Sequence, residues 1–468
     1  MEEAALEQLI KQILLEELST EENLIEKDLF DSVRSGIFLT VDEAVVAAKV
    51  AQDKFEDLNL VDRQKAINAI REVLLPQIEE LARRSVEETG LGNITDKIIK
   101  NMGAIEGTPG IEDLSTAVKT GDYGMTLLEI SPYGVIGAIT PSTNPTETII
   151  CNTIGMVAAG NAIYFAPHPG AKDVSLWLIE QLNKTIEEAI GIKNLIVTVK
   201  EPSITNAQLM MNHPDIAMLV VTGGPGVVAE AMKSGKKVLA AGAGNPPVIV
   251  DETAIIEKAA KDIVDGASFD HGIICVAEKS VVAVDSIADR LIFHMEQNNA
   301  LLLKDPADID KLKAITIIDG NINKKFVGKS ASSILKAAKI ECCFEPCLII
   351  FEASKKDPFV VLEQLMPVLP IIRVKDFDEA LPTAIEIEEG LLHTTIMHSQ
   401  HIFRLNKVGR KLKTSIFVKN GPSYAGLGFE AEGAVTFTIA TPTGEGTTTA
   451  KNFARVRRCV LTDGFSIR

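Results

Sequence analysis

From Gly134 onward, short unbroken apolar runs alternate with stretches of helical period: VIGAIT, a helix from Thr146, NAIYFAP, a helix from Lys172, NLIVTV, a helix from Thr205, then IAMLVVTGG. That rhythm predicts a parallel sheet wrapped by helices. The runs are apolar at successive positions instead of every second one, so both sheet faces are expected to be covered. After Pro246 and Pro247 a second series opens with PVIVDE, a helix around 254–268 and KSVVAV, and continues to SIFVKN near 415. The expected class is therefore α/β, with two doubly wound parallel-sheet domains meeting close to residue 246.

Both ends of the chain read differently. Residues 2–18 place Leu6, Leu9, Ile10 and Ile13 on one face at helical spacing, and a polar linker, STEENLIEKD, follows. A short apolar-faced helix tethered outside a domain wants a groove in which to bury that face, on its own body or on a partner. The tail, TFTIATPT through GEGTTTAKNFARVRRCVL, is rich in threonine and β-branched residues broken at Gly444 and Gly446. It predicts an extended arm returning across the molecule or onto a neighbour.

Charge and cysteines narrow the function. A net charge of -17 repels phosphate backbones and anionic membranes, which argues against nucleic-acid binding. Arg455, Arg457 and Arg458 alternate with apolar residues and read as a polar strand face. No run of about 18 apolar residues exists to span a membrane, and the acidic start MEEAALEQLI lacks the positive charge of a secretory signal. A cytoplasmic protein is expected. Its cysteines, at 151, 275, 342, 343, 347 and 459, lack the paired spacing of a disulfide scaffold. Cys342, Cys343 and Cys347 have no accompanying histidine, and ECCFEPCLIIF reads as a buried strand, so no metal site is expected.

Three glycine-bearing turns follow predicted strands: TGGPG at 222–226, GAGNPP at 242–247 and PHPG at 167–170. Each can offer backbone N–H groups and a helix N-terminus to a pyrophosphate, although Pro247 stands where GAGNPP would need a third glycine. Cys275, in FDHGIICVAEK, directly precedes the strand-like KSVVAV. By its neighbours alone it is a buried, inert cysteine.

Taken in order, PSTNP at 141–145, TGGPG, GAGNPP, FDHGIIC and EQLMPVLP at 363–370 make the chain from about residue 36 resemble the aldehyde dehydrogenase superfamily. With NGPSYAGLG and TFTIATPTGEGTT, the resemblance is closest to the CoA-acylating propionaldehyde and acetaldehyde dehydrogenases of bacterial microcompartments. It implies a Rossmann-like NAD- and CoA-binding domain over 36–245, with part of an oligomerisation arm near 121–134. A catalytic domain over 246–440 and the remainder of the arm over 441–468 complete the organisation, which suits a homodimer or homotetramer. Cys275 matches the family nucleophile, and Asn144, or its neighbour Thr143, the oxyanion donor beside the Cys275 backbone N–H. Glu363 matches the glutamate on the nicotinamide ribose, and Thr222, Gly223 and Gly224 the cofactor turn. Ala166, Pro167 and His168 stand where hydrolytic relatives carry the adenosine-ribose lysine.

Hydrolytic relatives also carry a water-activating glutamate, and Ala241 occupies the matching place. The implied reaction is thus oxidation of propanal or acetaldehyde by NAD with transfer of the acyl group to coenzyme A, with His271 a candidate base. Alternatives are a dehydrogenase releasing free acid and a silent binding subunit. Residues 1–18 would then address the protein to a microcompartment shell protein, with residues 19–35 as linker.

Overall fold

The computed structural model describes residues 35–467; the expected helix over 1–18 and nearly all of its linker lie outside them. The first sheet has six parallel strands in the order Ile37–Phe38, Ile196–Val199, Ala162–Pro167, Val135–Thr140, Ile216–Thr222 and Lys237–Ala241. Val135–Thr140 and Ala162–Pro167 are buried at every position, as their unbroken apolar sequence requires. The helix Pro145–Ala158 is likewise buried at all of its residues. Its apolar residues are spread around the circumference, its buried polar ones include Glu147 and Asn152, and Pro145 at the first helical position starts it without losing a bond.

The second sheet has seven parallel strands: Ala300–Leu302, Leu348–Glu352, Val368–Val374, Ser280–Val284, Pro247–Val250, Thr394–His398 and Ile416–Lys419. The α/β class read from the sequence is the class found. One continuous apolar core runs through both sheets, and a smaller cluster gathers around Leu312, Ile334, Phe351 and Phe359.

A third, antiparallel sheet joins Ala117–Gly121 and Gly124–Pro132 to the C-terminal strand Ala454–Thr462, with Val456 opposite Ile130. That strand is exposed along nearly its whole length. Arg455 and Arg457 share a face while Arg458 turns to the other, so the arginines do not form the single polar face that their sequence suggested. The arm strand begins only at Ala454. Residues before it run back through the body, where Thr438 Oγ1 donates to Asn152 Oδ1 at 3.2 Å and Thr448 Oγ1 to the Thr438 carbonyl at 2.7 Å. Threonines that looked like strand formers act there as buried hydrogen-bonding groups. The cysteine segment also differs from expectation: the strand starts at Leu348, and Cys342, Cys343 and Cys347 lie in the loop before it. Pro346, with no N–H to donate, cannot continue a ladder inward.

Candidate active site

Cys275 lies on the loop between the helix Ile256–Ser268 and the strand Ser280–Val284. The loop is entered through three successive left-handed residues, Asp270 (φ +49°), His271 (φ +55°) and Gly272 (φ +72°). The two that are not glycine cost about 1–3 kcal/mol each unless their surroundings fix them. The fixing group is the Asp270 carboxylate, which accepts from the Asn93 N–H at 2.9 Å, Lys97 Nζ at 3.0 Å and Lys100 Nζ at 2.5 Å. Gly92 leaves room for it: a Cβ there would stand 1.8 Å from Asp270 Oδ1.

Lys97 Nζ also donates to the Thr143 carbonyl at 3.0 Å, and Lys100 Nζ lies 3.8 Å from Glu147 Oε1. All four charged side chains are fully buried, two of each sign. Burial and the neighbouring Lys100 hold Lys97 below the ordinary lysine range. Burial also works against Lys100, but Asp270 and Glu147 outweigh it and raise its pKa. The effect is mechanical as well: the cluster ties the loop carrying Cys275 to the loop carrying Thr143 and Asn144. Asn144 precedes Pro145 at the start of the buried helix, donates from Nδ2 to Thr143 Oγ1 at 3.2 Å, and leaves its Oδ1 without a partner.

The segment Gly242–Pro246 crosses from the last strand of the first sheet to a central strand of the second. It passes directly over Cys275. A Cβ on Gly244 would stand 2.8 Å from the Cys275 carbonyl oxygen and 2.9 Å from the His393 ring, and the Gly244 N–H donates to Glu363 Oε1 at 3.1 Å. Glycine is what lets these four residues meet. Burial, together with the Glu363 carboxylate, pushes the Cys275 thiol up to about 12, while Lys279 acts in the opposite sense. His393 is buried and held neutral, its pKa lowered to about 4 by desolvation and by Lys279. Its Nδ1 lies 2.9 Å from Thr394 Oγ1, and its Nε2 has no partner. Cys151 is also pushed up to about 12 by burial, but it sits in the core helix and accepts from Thr108 Oγ1 at 3.0 Å.

Apart from Glu363, which sits beside Gly244, the cofactor candidates gather at the carboxyl ends of the first sheet's strands, the edge at which open α/β sheets take ligands. Pro167 pairs with Thr140, and Thr222 with Ala241. Gly223 and Gly224 lead into the helix Pro225–Met232; around Gly224 and Gly226 there is open space, and Gly224 offers no side-chain cap. His168 is exposed and accepts from the Gly170 N–H at Nδ1. A free helix end beside open space, with the Thr140 hydroxyl and Asn144 Oδ1 buried and unpartnered nearby in the fold, suits a dinucleotide. Thr222 itself is engaged inward, its hydroxyl 2.9 Å from that of Thr438. His271 is engaged elsewhere, its Nδ1 lying 3.1 Å from the Gly328 carbonyl.

The family model "Aldehyde dehydrogenase family" matches residues 26–429. The chain belongs to that family. It is 55% identical over 469 residues to a propanal dehydrogenase (CoA-propanoylating) of Salmonella typhimurium, covering all of both chains. A crystal structure of Rhodopseudomonas palustris propionaldehyde dehydrogenase, with bound CoA and an acylated cysteine, superposes with a TM-score of 0.92 at 51% identity, over 93% of this chain and all of that one. A propionaldehyde dehydrogenase from the Clostridium phytofermentans fucose utilisation bacterial microcompartment gives 0.91 at 44% identity, over 93% of this chain and all of that one.

Sequence reasoning missed several groups that this aldehyde dehydrogenase gathers around its cysteine. Lys97 and Lys100 have the spacing of a solvated helix face, yet both are fully buried while Ile99 and Met102 on the same helix are exposed. Their partners, Asp270, Glu147 and the Thr143 carbonyl, are all distant in sequence. His393 and Lys279 sit beside strands and carry no local signal.

Proposed function

We propose that this enzyme oxidises a short aliphatic aldehyde, propanal or acetaldehyde, with NAD and transfers the acyl group to coenzyme A through a thioester on Cys275. The observation that carries the choice of acceptor is the crossing segment beside Cys275. From Ala240 through Gly244 it bears only alanine and glycine, with no carboxylate of its own to activate water.

Residues 36–245 are read as the NAD- and CoA-binding domain and 246–440 as the domain that carries the nucleophile. The Cys275 thiolate adds to the aldehyde carbon, and the resulting oxyanion is met by the Cys275 backbone N–H and by Asn144, whose loop the Lys97–Asp270 cluster holds in place. Bound NAD supplies the hydride acceptor. Gly223, Gly224, Pro167 and His168, with Thr222 through its backbone, would hold its phosphates and adenosine end, and Glu363 its nicotinamide ribose. CoA brings a thiol of pKa about 8.5, far more acidic than bulk water at about 15.7, so its attack on the thioester requires little help. Neutral His393, with Nδ1 beside the Thr394 hydroxyl, offers Nε2 to the departing thiol proton.

Mixing enzyme, NAD and propanal without CoA then gives about one NADH per active site followed by near-arrest. Mass spectrometry finds the propionyl adduct on Cys275, CoA restarts turnover, and Cys275→Ala gives no burst. Sustained release of free propionate without CoA, at the rate seen with it, would falsify this reading and return the role of base to Glu363 or Glu278.

Residues 1–18 are proposed to dock on a microcompartment shell protein, on the strength of their apolar face and polar linker and of the likeness to a microcompartment enzyme. Their deletion leaves NADH production intact and abolishes co-purification with shells; persistent co-purification would remove the idea. The exposed arm sheet, with Val118, Val456 and Val460 open to solvent, is read as the contact that builds a dimer or tetramer.

A further inference from the structure

The stretch from Gly390 to Phe429 is set apart by its charge: it contains no aspartate or glutamate, in a chain that carries 64 of them. Its helix Ile402–Leu412 holds Arg404, Lys407, Arg410 and Lys411, and Lys413 follows directly. Arg404 pairs with Asp251 and Glu252 and Lys407 with Asp378 at 3.3 Å, whereas Arg410, Lys411 and Lys413 form no ion pair among the described residues.

This helix packs beside the helix Phe377–Glu388, and between them runs a groove of about 400 Å³ that continues into a second space of about 330 Å³. One wall is apolar, with Leu381 and Ile385 one turn apart and Pro382 beside them. The other is basic, with Lys407 and Lys411 again one turn apart. Phe403, a turn before Lys407, lines the second space and is 76% exposed, and Ile385 is 42% exposed. The acids of the groove are already engaged, Asp378 by Lys407 and Glu386 by Lys355 at 2.5 Å. Open apolar side chains beside unpaired cations call for a cover that is both apolar and acidic.

Residues 1–18 have both properties. They carry Glu2, Glu3, Glu7, Glu16 and Glu17 against Lys11 alone, and at helical spacing Glu3 and Glu7 border the face of Leu6, Leu9, Ile10 and Ile13. Two glutamates one turn apart thus answer two lysines one turn apart. The connection is long enough as well: from Leu18 to Ser35 the extended chain spans up to about 55–60 Å, more than twice the radius of gyration of about 23 Å expected for a folded chain of this length. The linker therefore does not confine the segment to the surface where Ser35 joins the body.

We infer that residues 1–18 rest in this groove when no shell partner holds them, with Leu6, Ile10 and Ile13 against Leu381, Pro382 and Ile385, and Glu3 and Glu7 against Lys407 and Lys411. The inference rests on reading residues 1–18 as an amphipathic helix. One apolar face cannot lie in two places, so the enzyme's own surface competes with the shell for it.

The test is photo-crosslinking in the full chain, with Leu14→benzoylphenylalanine at the border of the apolar face and the adduct mapped by mass spectrometry. Adducts are expected within Phe377–Glu388 and Ile402–Leu412. Lys407→Glu together with Lys411→Glu turns attraction into repulsion on an exposed rim and is expected to cut the yield roughly tenfold, with the melting curve unchanged. Adding Glu3→Lys and Glu7→Lys restores the yield. Adducts elsewhere, no adduct on the enzyme, or a yield indifferent to the charge swaps overturns the inference. The shell reading is judged separately, by co-purification after deletion of residues 1–18: persistence there sinks that reading and leaves the cross-link result standing.

Discussion

The two ends of the segment Gly242–Pro246 are built on opposite plans. On the first sheet's side, the cofactor turn at Gly223 to Gly226 has almost nothing around it: added Cβ atoms on Gly224 and Gly226 would meet no neighbour within 4 Å. On the second sheet's side every gap is occupied, with Gly92 filled by Asp270, Gly244 by Cys275 and His393, and Gly272 by Met366. Under the proposed assignment, space is left where the ligand enters, and packing is tight where the reacting groups are held. Glycine serves both purposes, for opposite reasons.

The sharpest way to break the packed side is Asp270→Asn, which leaves Lys97 and Lys100 buried with only Glu147 to balance them. Removing one partner from a buried ion cluster costs about 3–5 kcal/mol. The variant should therefore melt well below the wild type and lose most of its turnover, because the loops of Cys275 and Asn144 come apart together. A full-activity variant with an unchanged melting curve would show that the cluster is incidental.

The comparison itself is sharpened by two glycine substitutions. Gly244→Ala forces its new carbon against backbone and ring, and overpacking of that kind costs about 1–3 kcal/mol; kcat falls with it. Gly224→Ala meets open space, so stability stays within about 0.5 kcal/mol of wild type, while KM for NAD rises as the approach of the phosphates is obstructed. Steady-state kinetics and thermal melts on the pair decide the matter. Equal effects at both positions would erase the contrast.

The same contrast governs how much was legible in the sequence. The parallel sheets were readable because covered strands are written as local apolar runs such as VIGAIT and KSVVAV. The open turn after Thr222 was readable as a turn because glycines after a strand form a local pattern. The packed side was not, since Lys97 acquires its meaning from Asp270, 173 residues away, and no short window contains both. His393 is similar: its lone buried nitrogen matters only because Gly244 brings the backbone of Cys275 beside it. Cys275 itself was proposed by resemblance, because its neighbours Ile273, Ile274 and Val276 describe an ordinary core cysteine.

The arm strand Ala454–Thr462 carries a consequence for biosynthesis. It closes an edge laid down far earlier, and the Phe453 carbonyl at its start accepts from Asn161, 292 residues upstream. At about 5–20 residues per second, a ribosome takes roughly 15–60 s to supply that partner after Asn161 has emerged. For that interval the nascent chain holds the hairpin of Ala117–Gly121 and Gly124–Pro132 with one unpaired edge, the kind of edge that invites pairing with a neighbouring chain. That edge stays open until Ala454–Thr462 has been made, and only this strand retires it.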